Sequence, residues 1–194
     1  MVSDRLRRIF APLLAKVAGV LDALGLTPNA LTIIGLVLNL AVAAVLATGH
    51  LRVGGALVLV ASLFDGLDGA LARHTGKVSK FGAFFDSTLD RYAEAALFTG
   101  LVWYFTTIGA RTEAVLAVVA LFGSLAVSYT RARAEGLGLA CSVGILTRAE
   151  RIVVLSVGLV AGLPLITLWV LAILTHVTAI QRMVHVYRLT SGEQ

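Results

Sequence analysis

At 194 residues the chain has room for one domain, or at most two small ones. Its 58% hydrophobic content, mean hydropathy of +0.92 and 14% charged residues exclude an ordinary soluble domain, which holds about 45–50% apolar and about 25% charged residues. The formal net charge of +5 falls on residues that flank apolar segments, so membrane topology and anionic ligands account for it and a nucleic-acid partner is not expected.

Residues 3–24 place Leu6, Ile9, Phe10, Leu13, Leu14, Val17, Val20 and Leu21 at steps of three and four, which predicts one apolar helix face. Arg5, Arg7, Arg8 and Lys16 make the remainder basic, as in a helix lying in the membrane interface. Asp4 and Lys16 interrupt the apolar residues and no A-x-A-like site follows, so this stretch is not read as a cleavable signal peptide. Pro12 is a local bend point. Gly25 ends the pattern, and Thr27-Pro28 opens the next helix with Thr27 as cap and Pro28 at its first position.

Six apolar segments follow, roughly 29–48, 53–73, 82–106, 113–135, 149–162 and 164–186. A membrane span needs about 20 residues, so the first four fit comfortably and the fifth is short. Gly162-Leu163-Pro164 between the fifth and sixth is a tight hairpin signal. The expected architecture is all-α: a polytopic integral membrane protein with six transmembrane helices over 29–186 and an N-terminal interfacial amphipathic helix, one domain over 1–194. No internal repeat is visible, and the tail Leu189–Gln194 reads as frayed.

With six spans, both termini share a side with the loops after spans two and four. That side, with its bordering helix ends, collects 14 of the 16 Lys and Arg residues, leaving Arg52 and Arg111 opposite. The positive-inside rule makes the rich side cytoplasmic.

The stretch from Asp65 to Asp90 carries Asp65, Asp68, Asp86 and Asp90 among apolar runs, beside Arg73. An acid near the lipid core is rare unless it is paired, protonated or bound to a cation. Asp65 and Asp68 are three apart, and Asp86 and Asp90 four apart, so each pair lies on one helix face and two helices can present all four to a shared point. Hard oxygen ligands suit Mg²⁺ or Mn²⁺, and two such ions form the usual clamp for displacement at phosphorus. Gly66, Gly69, Ala70 and Ala72 remove bulk around the acids, and Arg73 offers a planar fork suited to phosphate. The competing account is a set of ion pairs and caps with Arg73, Lys77, Lys80 and Arg91; such pairs need no small residues around them and contribute little net stability when buried.

The run D-x2-D-G-x2-A-R-x8-G-x3-D-x3-D is complete as Asp65, Asp68, Gly69, Ala72, Arg73, Gly82, Asp86 and Asp90. It resembles the signature of the CDP-alcohol phosphotransferases, integral membrane enzymes of phospholipid synthesis. The likeness extends to six spans, the N-terminal interfacial helix and the run from Thr27 to Thr32, so it covers nearly the whole chain. The resemblance implies that Asp65, Asp68, Asp86 and Asp90 hold two Mg²⁺ or Mn²⁺ ions, with Asp90 also the general base. It implies that Gly69, Arg73, Ser79 and the stretch Asn29, Ala30, Leu31 and Thr32 contact the CDP part of CDP-diacylglycerol. An acceptor hydroxyl deprotonated by Asp90 would then attack the phosphorus bearing the lipid, and CMP would leave. A homodimer in the cell membrane is implied as well.

The second basic set holds Arg131, Arg148, Arg151 and Arg182 at predicted cytoplasmic helix ends. Plain flanking of spans explains any one of them, but as a group they look like a phosphate pocket, because Arg favours bidentate phosphate contact. The pattern is similar to that of actinobacterial-type phosphatidylinositol phosphate synthases, which implies inositol 1-phosphate as acceptor; Arg131 stands where Lys is expected in that group and Ala149 where Pro is common. Glycerol 3-phosphate, giving phosphatidylglycerophosphate, is the rival acceptor. Two other classes are a cation channel or transporter, which needs polar residues in both membrane halves, and a membrane prenyltransferase, which needs more spans. The lone Cys141 excludes an internal disulfide and has no Cys or His near it for a metal site. His50, His176 and His185 form no metal-binding spacing, His74 reads as solvent-facing, and Trp103 and Tyr104 read as interfacial anchors.

Overall fold

The computed structural model describes residues 16–191. Leu6, Ile9, Phe10, Leu13 and Leu14 of the expected interfacial helix, with Asp4, Arg5, Arg7, Arg8 and Pro12, lie outside the described residues, as does the end of the tail. The described chain is helical throughout, with no strand among the described residues. Helix α1 is described over 16–23, followed by α2 (Pro28–Ala47), α3 (Leu51–His74), α4 (Lys80–Thr107), α5 (Arg111–Gly136), α6 (Arg148–Val160) and α7 (Pro164–Thr190). The six segments read from hydropathy are all present, with ends shifted by a few residues.

The punctuation follows local chemistry. Gly25 takes φ +73°, and Leu26 N–H donates back to the Leu21 carbonyl at 3.1 Å, a left-handed cap that closes α1. Thr27 Oγ1 accepts the Ala30 N–H at 3.2 Å, so Thr27 caps α2 with Pro28 at its first position. Ser79 Oγ accepts the Gly82 N–H at 2.9 Å and opens α4 in the same way. Glu150 accepts the Thr147 N–H at 2.8 Å, one half of a capping box at α6. Pro164 takes the first position of α7 after the short turn from α6.

Four described helices, α2, α3, α5 and α7, are long and apolar enough to cross a membrane, which makes this a multi-pass membrane protein. Helix α4 is 28 residues long but carries Asp86, Asp90, Arg91 and Glu94 in its first half. Helix α6 has 13 residues, about 20 Å at 1.5 Å per residue, against a hydrocarbon core of about 30 Å. Of the six helices from α2 to α7, four satisfy both length and apolarity, and α4 and α6 do not.

The chain divides into two compact units. One comprises the residues up to Ala41 with Val60–Ala93; the other comprises Val42–Leu59 with Glu94 onward. In the first, Ala18 of α1, Leu31 of α2 and Ala70 and Leu71 of α3 form a buried cluster, with Leu21, Leu26 and Leu67 packed on it. Val20, on the expected apolar face of α1, is 61% exposed, so small Ala18 and not Val20 marks the side that packs inward.

In the second unit the helices approach through small residues. A Cβ added at Gly100 would run into the Ala43 carbonyl, one at Gly123 into the Thr175 hydroxyl, and one at Gly55 would sit 2.8 Å from the Leu159 Cβ. Such contacts suit membrane helices, where packing rather than hydrophobic transfer drives association. The Ser156 hydroxyl donates to the Gly55 carbonyl across one of them. Replacing Gly100 by Val is expected to destabilise the protein by about 1–3 kcal/mol, read as a lowered thermal midpoint in detergent.

Candidate active site

The acids are presented by α3 and α4. Asp65 and Asp68 lie one turn apart on α3, and Asp86 and Asp90 one turn apart on α4. All four line one tight cavity of about 10 Å³, with Leu31, Thr32 and Leu36 of α2. Asp68 is 7% exposed and accepts the Thr32 hydroxyl at 2.8 Å. A hydrogen bond to a charged group contributes about 1.5–3 kcal/mol, so Thr32 helps to hold this carboxylate in place. Asp90 Oδ2 lies 3.4 Å from Arg91 Nη1, which also donates to the Ser87 carbonyl at 2.6 Å. The four acids share a cavity without closing on a single point: among the described residues no three Asp, Glu, His or Cys side chains stand in a metal-ligand arrangement.

Small residues make room for these groups. A Cβ at Gly35 of α2 would lie 3.3 Å from Asp65 Oδ1, and one at Gly69 would lie 3.3 Å from Arg73 Nη1. Gly69 thus lets the Arg73 guanidinium fold back along α3. Gly35 escaped the sequence reading; its place one turn after Thr32 on a helix facing the acids is the signal that could have found it. Gly66 meets nothing within 4 Å, so it provides no close approach of this kind.

A second cavity of about 300 Å³ shares Thr32, Asp68 and Asp86 with the first. It is lined by Asn29, Gly69, Arg73 and Ser79, four of the positions that the motif resemblance marks for the CDP moiety. Pro28, Ala72, Lys77, Val78, Gly82 and Ala83 complete it and were not singled out as contacts. Gly82 packs into a polar corner, where a Cβ would lie 3.1 Å from Ser79 Oγ and 3.7 Å from Asn29 Oδ1. The helix period separates the stretch Asn29–Thr32. Asn29 and Thr32 face the larger cavity, Leu31 is buried against the core and touches only the small one, and Ala30 lines neither.

The four arginines read as a phosphate pocket all belong to the second unit. Arg151 is buried and grips Glu94 with two parallel bonds, Nε to Oε1 at 2.8 Å and Nη2 to Oε2 at 2.9 Å. Glu94 had no assigned role in the sequence, and its partner lies 57 positions away. Arg182 is also buried; its Nε donates to the Val143 carbonyl at 2.9 Å and its Nη1 to the Val127 carbonyl. Arg131 pairs with Glu135 on the surface at 2.8 Å, one helical turn away. The charges of Arg131 and Arg151 act on Arg182, so each of the two lies within electrostatic reach of it. Arg148 stands at the first position of α6. A phosphate at this place would have to compete with internal partners that the sequence did not reveal.

The histidines stay outside this chemistry. His50 pairs with the Thr48 hydroxyl, and His176 Nδ1 lies 2.8 Å from the Ala172 carbonyl. His74, read as a loop residue, is the exposed last residue of α3. Cys141 is buried.

Residues 25–183 match the CDP-alcohol phosphatidyltransferase family, and the chain belongs to it, as a transferase enzyme. A phosphatidylinositol phosphate synthase of Mycobacteroides abscessus is 38% identical over 195 aligned positions, covering 96% of this chain and 88% of that protein. An archaetidylinositol phosphate synthase of Methanothermobacter thermautotrophicus is 37% identical, covering 96% of this chain and 97% of that protein. The crystal structure of Mycobacterium tuberculosis phosphatidylinositol phosphate synthase with CDP-DAG bound superposes with a TM-score of 0.86 at 32% identity, covering 91% of this chain and 94% of that chain. The same enzyme in complex with manganese and citrate gives a TM-score of 0.85 at 33% identity, covering 90% and 88%.

Breaking the Glu94–Arg151 pair from one side leaves a buried charge without compensation, which costs about 3–5 kcal/mol. Glu94→Ala is therefore expected to lose most of its folded yield in detergent, while the double replacement Glu94→Leu with Arg151→Met recovers it, as read by size-exclusion profile and thermal midpoint.

Proposed function

We propose that this chain is a divalent-metal-dependent phosphatidylinositol phosphate synthase, moving a phosphatidyl group from CDP-diacylglycerol to inositol 1-phosphate with release of CMP. The observation that carries the reading is the four-aspartate cavity opening on the larger one lined by Asn29, Gly69, Arg73 and Ser79. The relatives support the acceptor. Two of them differ in the lipid named, phosphatidyl against archaetidyl, and agree on inositol phosphate.

The donor set fits a hard divalent cation, because the cavity offers four carboxylates and no thiolate or imidazole. Asp65, Asp68, Asp86 and Asp90 would hold Mg²⁺ or Mn²⁺, two ions in all, after side-chain rotation brings them together; when bound, the metal neutralises pyrophosphate charge and stabilises departing CMP. Arg73, Ser79, Asn29 and Thr32, which line the larger cavity, bind the CDP part of the donor. Asp90 takes the proton of the acceptor hydroxyl as that oxygen attacks the phosphorus bearing the lipid. Arg131, Arg148, Arg151 and Arg182 supply the positive field for the acceptor phosphate, with the exposed Arg131 free to swing from Glu135.

We further propose that six helices cross the membrane, that the active site and both termini face the cytoplasm, and that the enzyme works in the cell membrane as a homodimer of one catalytic domain. The acid-bearing half of α4 would then lie at the cytoplasmic end, where metal and nucleotide are at hand, and α6 would be a short span completed by its turn into α7. The excess of Lys and Arg on that side supports the orientation.

The test is a radiolabelled acceptor assay on detergent-purified protein, with the lipid product identified by mass spectrometry. Inositol 1-phosphate is expected to give CMP and phosphatidylinositol phosphate, and glycerol 3-phosphate little of either. CMP release with glycerol 3-phosphate alone would overturn the acceptor. Asp90→Asn is expected to lower turnover by about 10²–10⁴-fold, and chelation by EDTA to abolish it until Mg²⁺ or Mn²⁺ is restored.

A further inference from the structure

A cavity of about 600 Å³ in the second unit belongs to neither of the sites described above. That size is within the range of about 300–1,000 Å³ usual for ligand pockets. It lies between the segment after α5 and the C-terminal half of α7. Val143 and Ile145 form one wall, and Val177, Ile180 and Val184 form a stripe along α7 on the other.

The groove is pre-formed, because the segment is pinned to α7 along its length. The Leu146 N–H donates to Thr178 Oγ1 at 3.2 Å, the Val143 carbonyl accepts Arg182 Nε at 2.9 Å, and the Ala140 carbonyl lies 3.2 Å from His185 Nε2. Gly144, at φ +129°, lets the backbone pass where a Cβ would collide with Thr178 Cγ2.

The polar residues of this groove are graded along α7. Gln181 lies midway, His185 one turn on, and Arg188 in the last turn. Gln181 Oε1 is buried without a hydrogen-bond partner among the described residues, an acceptor that calls for an O–H or N–H donor. No carboxylate among the described residues pairs with Arg188. An apolar trough leading to a cationic end matches an acyl chain joined to an anionic headgroup. A free polyol phosphate would leave the apolar walls unfilled.

We propose that this groove binds an anionic phospholipid of the surrounding bilayer, with its phosphate at Arg188 and a chain against Val177, Ile180 and Val184. Basic pockets at helix ends are a recurrent solution for anionic headgroups at a membrane surface.

The full-length protein in detergent is offered equal amounts of phosphatidylglycerol and phosphatidylcholine, and retained lipid is read by native mass spectrometry. Phosphatidylglycerol is expected to be retained about fivefold more strongly, the effect of one arginine at an anionic surface, and Arg188→Gln is expected to bring the two lipids near parity. Val184→Trp, or Ile145→Trp from the other wall, fills the trough and is expected to lose the adduct while keeping the wild-type melting profile. Equal retention of both lipids by the wild type overturns the proposal, as does undiminished phosphatidylglycerol retention in Arg188→Gln and in a folded trough-filling variant. CMP release is not part of this readout, so the result stands apart from that of the acceptor assay.

Discussion

An ionised carboxylate close to hydrocarbon has to be compensated, and the ways in which this chain compensates its acids govern much of its architecture. Helix α4 carries two solutions in succession. Its Glu94 meets a fixed partner, Arg151, in a buried two-bond pair. Its Asp86 and Asp90 instead line a cavity with two further aspartates from α3. The first arrangement is closed and serves packing. The second concentrates four carboxylates in one cavity.

Around the acids, the absence of side chains matters as much as their presence. Gly35 leaves room at Asp65, Gly69 accommodates the Arg73 guanidinium, and Gly82 leaves room beside the Ser79 hydroxyl and the Asn29 side chain. These positions also explain why the larger cavity lies beside the carboxylates. Residues one turn apart on α2, α3 and α4 contribute to both cavities, with Thr32, Asp68 and Asp86 shared. Thr32 joins them by donating its hydroxyl to Asp68.

The arginines show what an isolated reading of charge leaves out. On sequence grounds Arg131, Arg148, Arg151 and Arg182 form one basic group. In the fold, Arg151 is neutralised by Glu94, Arg182 is spent on two backbone carbonyls, and Arg131 rests on Glu135. Their mutual field persists, because Arg182 still feels Arg131 and Arg151, but the donors are largely engaged. Buried guanidinium groups need such partners, whatever further role they have.

Helix number, approximate ends and the grouping of four acids into two one-turn pairs were legible in the sequence, because they depend on local chemistry: apolar run length, turn and cap residues, and the 3.6-residue period. Thr27, Pro28 and Gly25 do what their types dictate. The tertiary structure alone decided which residues at the start of α2 line the larger cavity, dividing Asn29 and Thr32 from Ala30 and Leu31. It alone paired Glu94 with Arg151, set Gly35 against Asp65 and turned Arg182 toward the Val127 and Val143 carbonyls. The reason is physical: each of those outcomes depends on how one helix is rotated and seated against another, and that is fixed by packing between residues far apart in the chain, which no local pattern encodes.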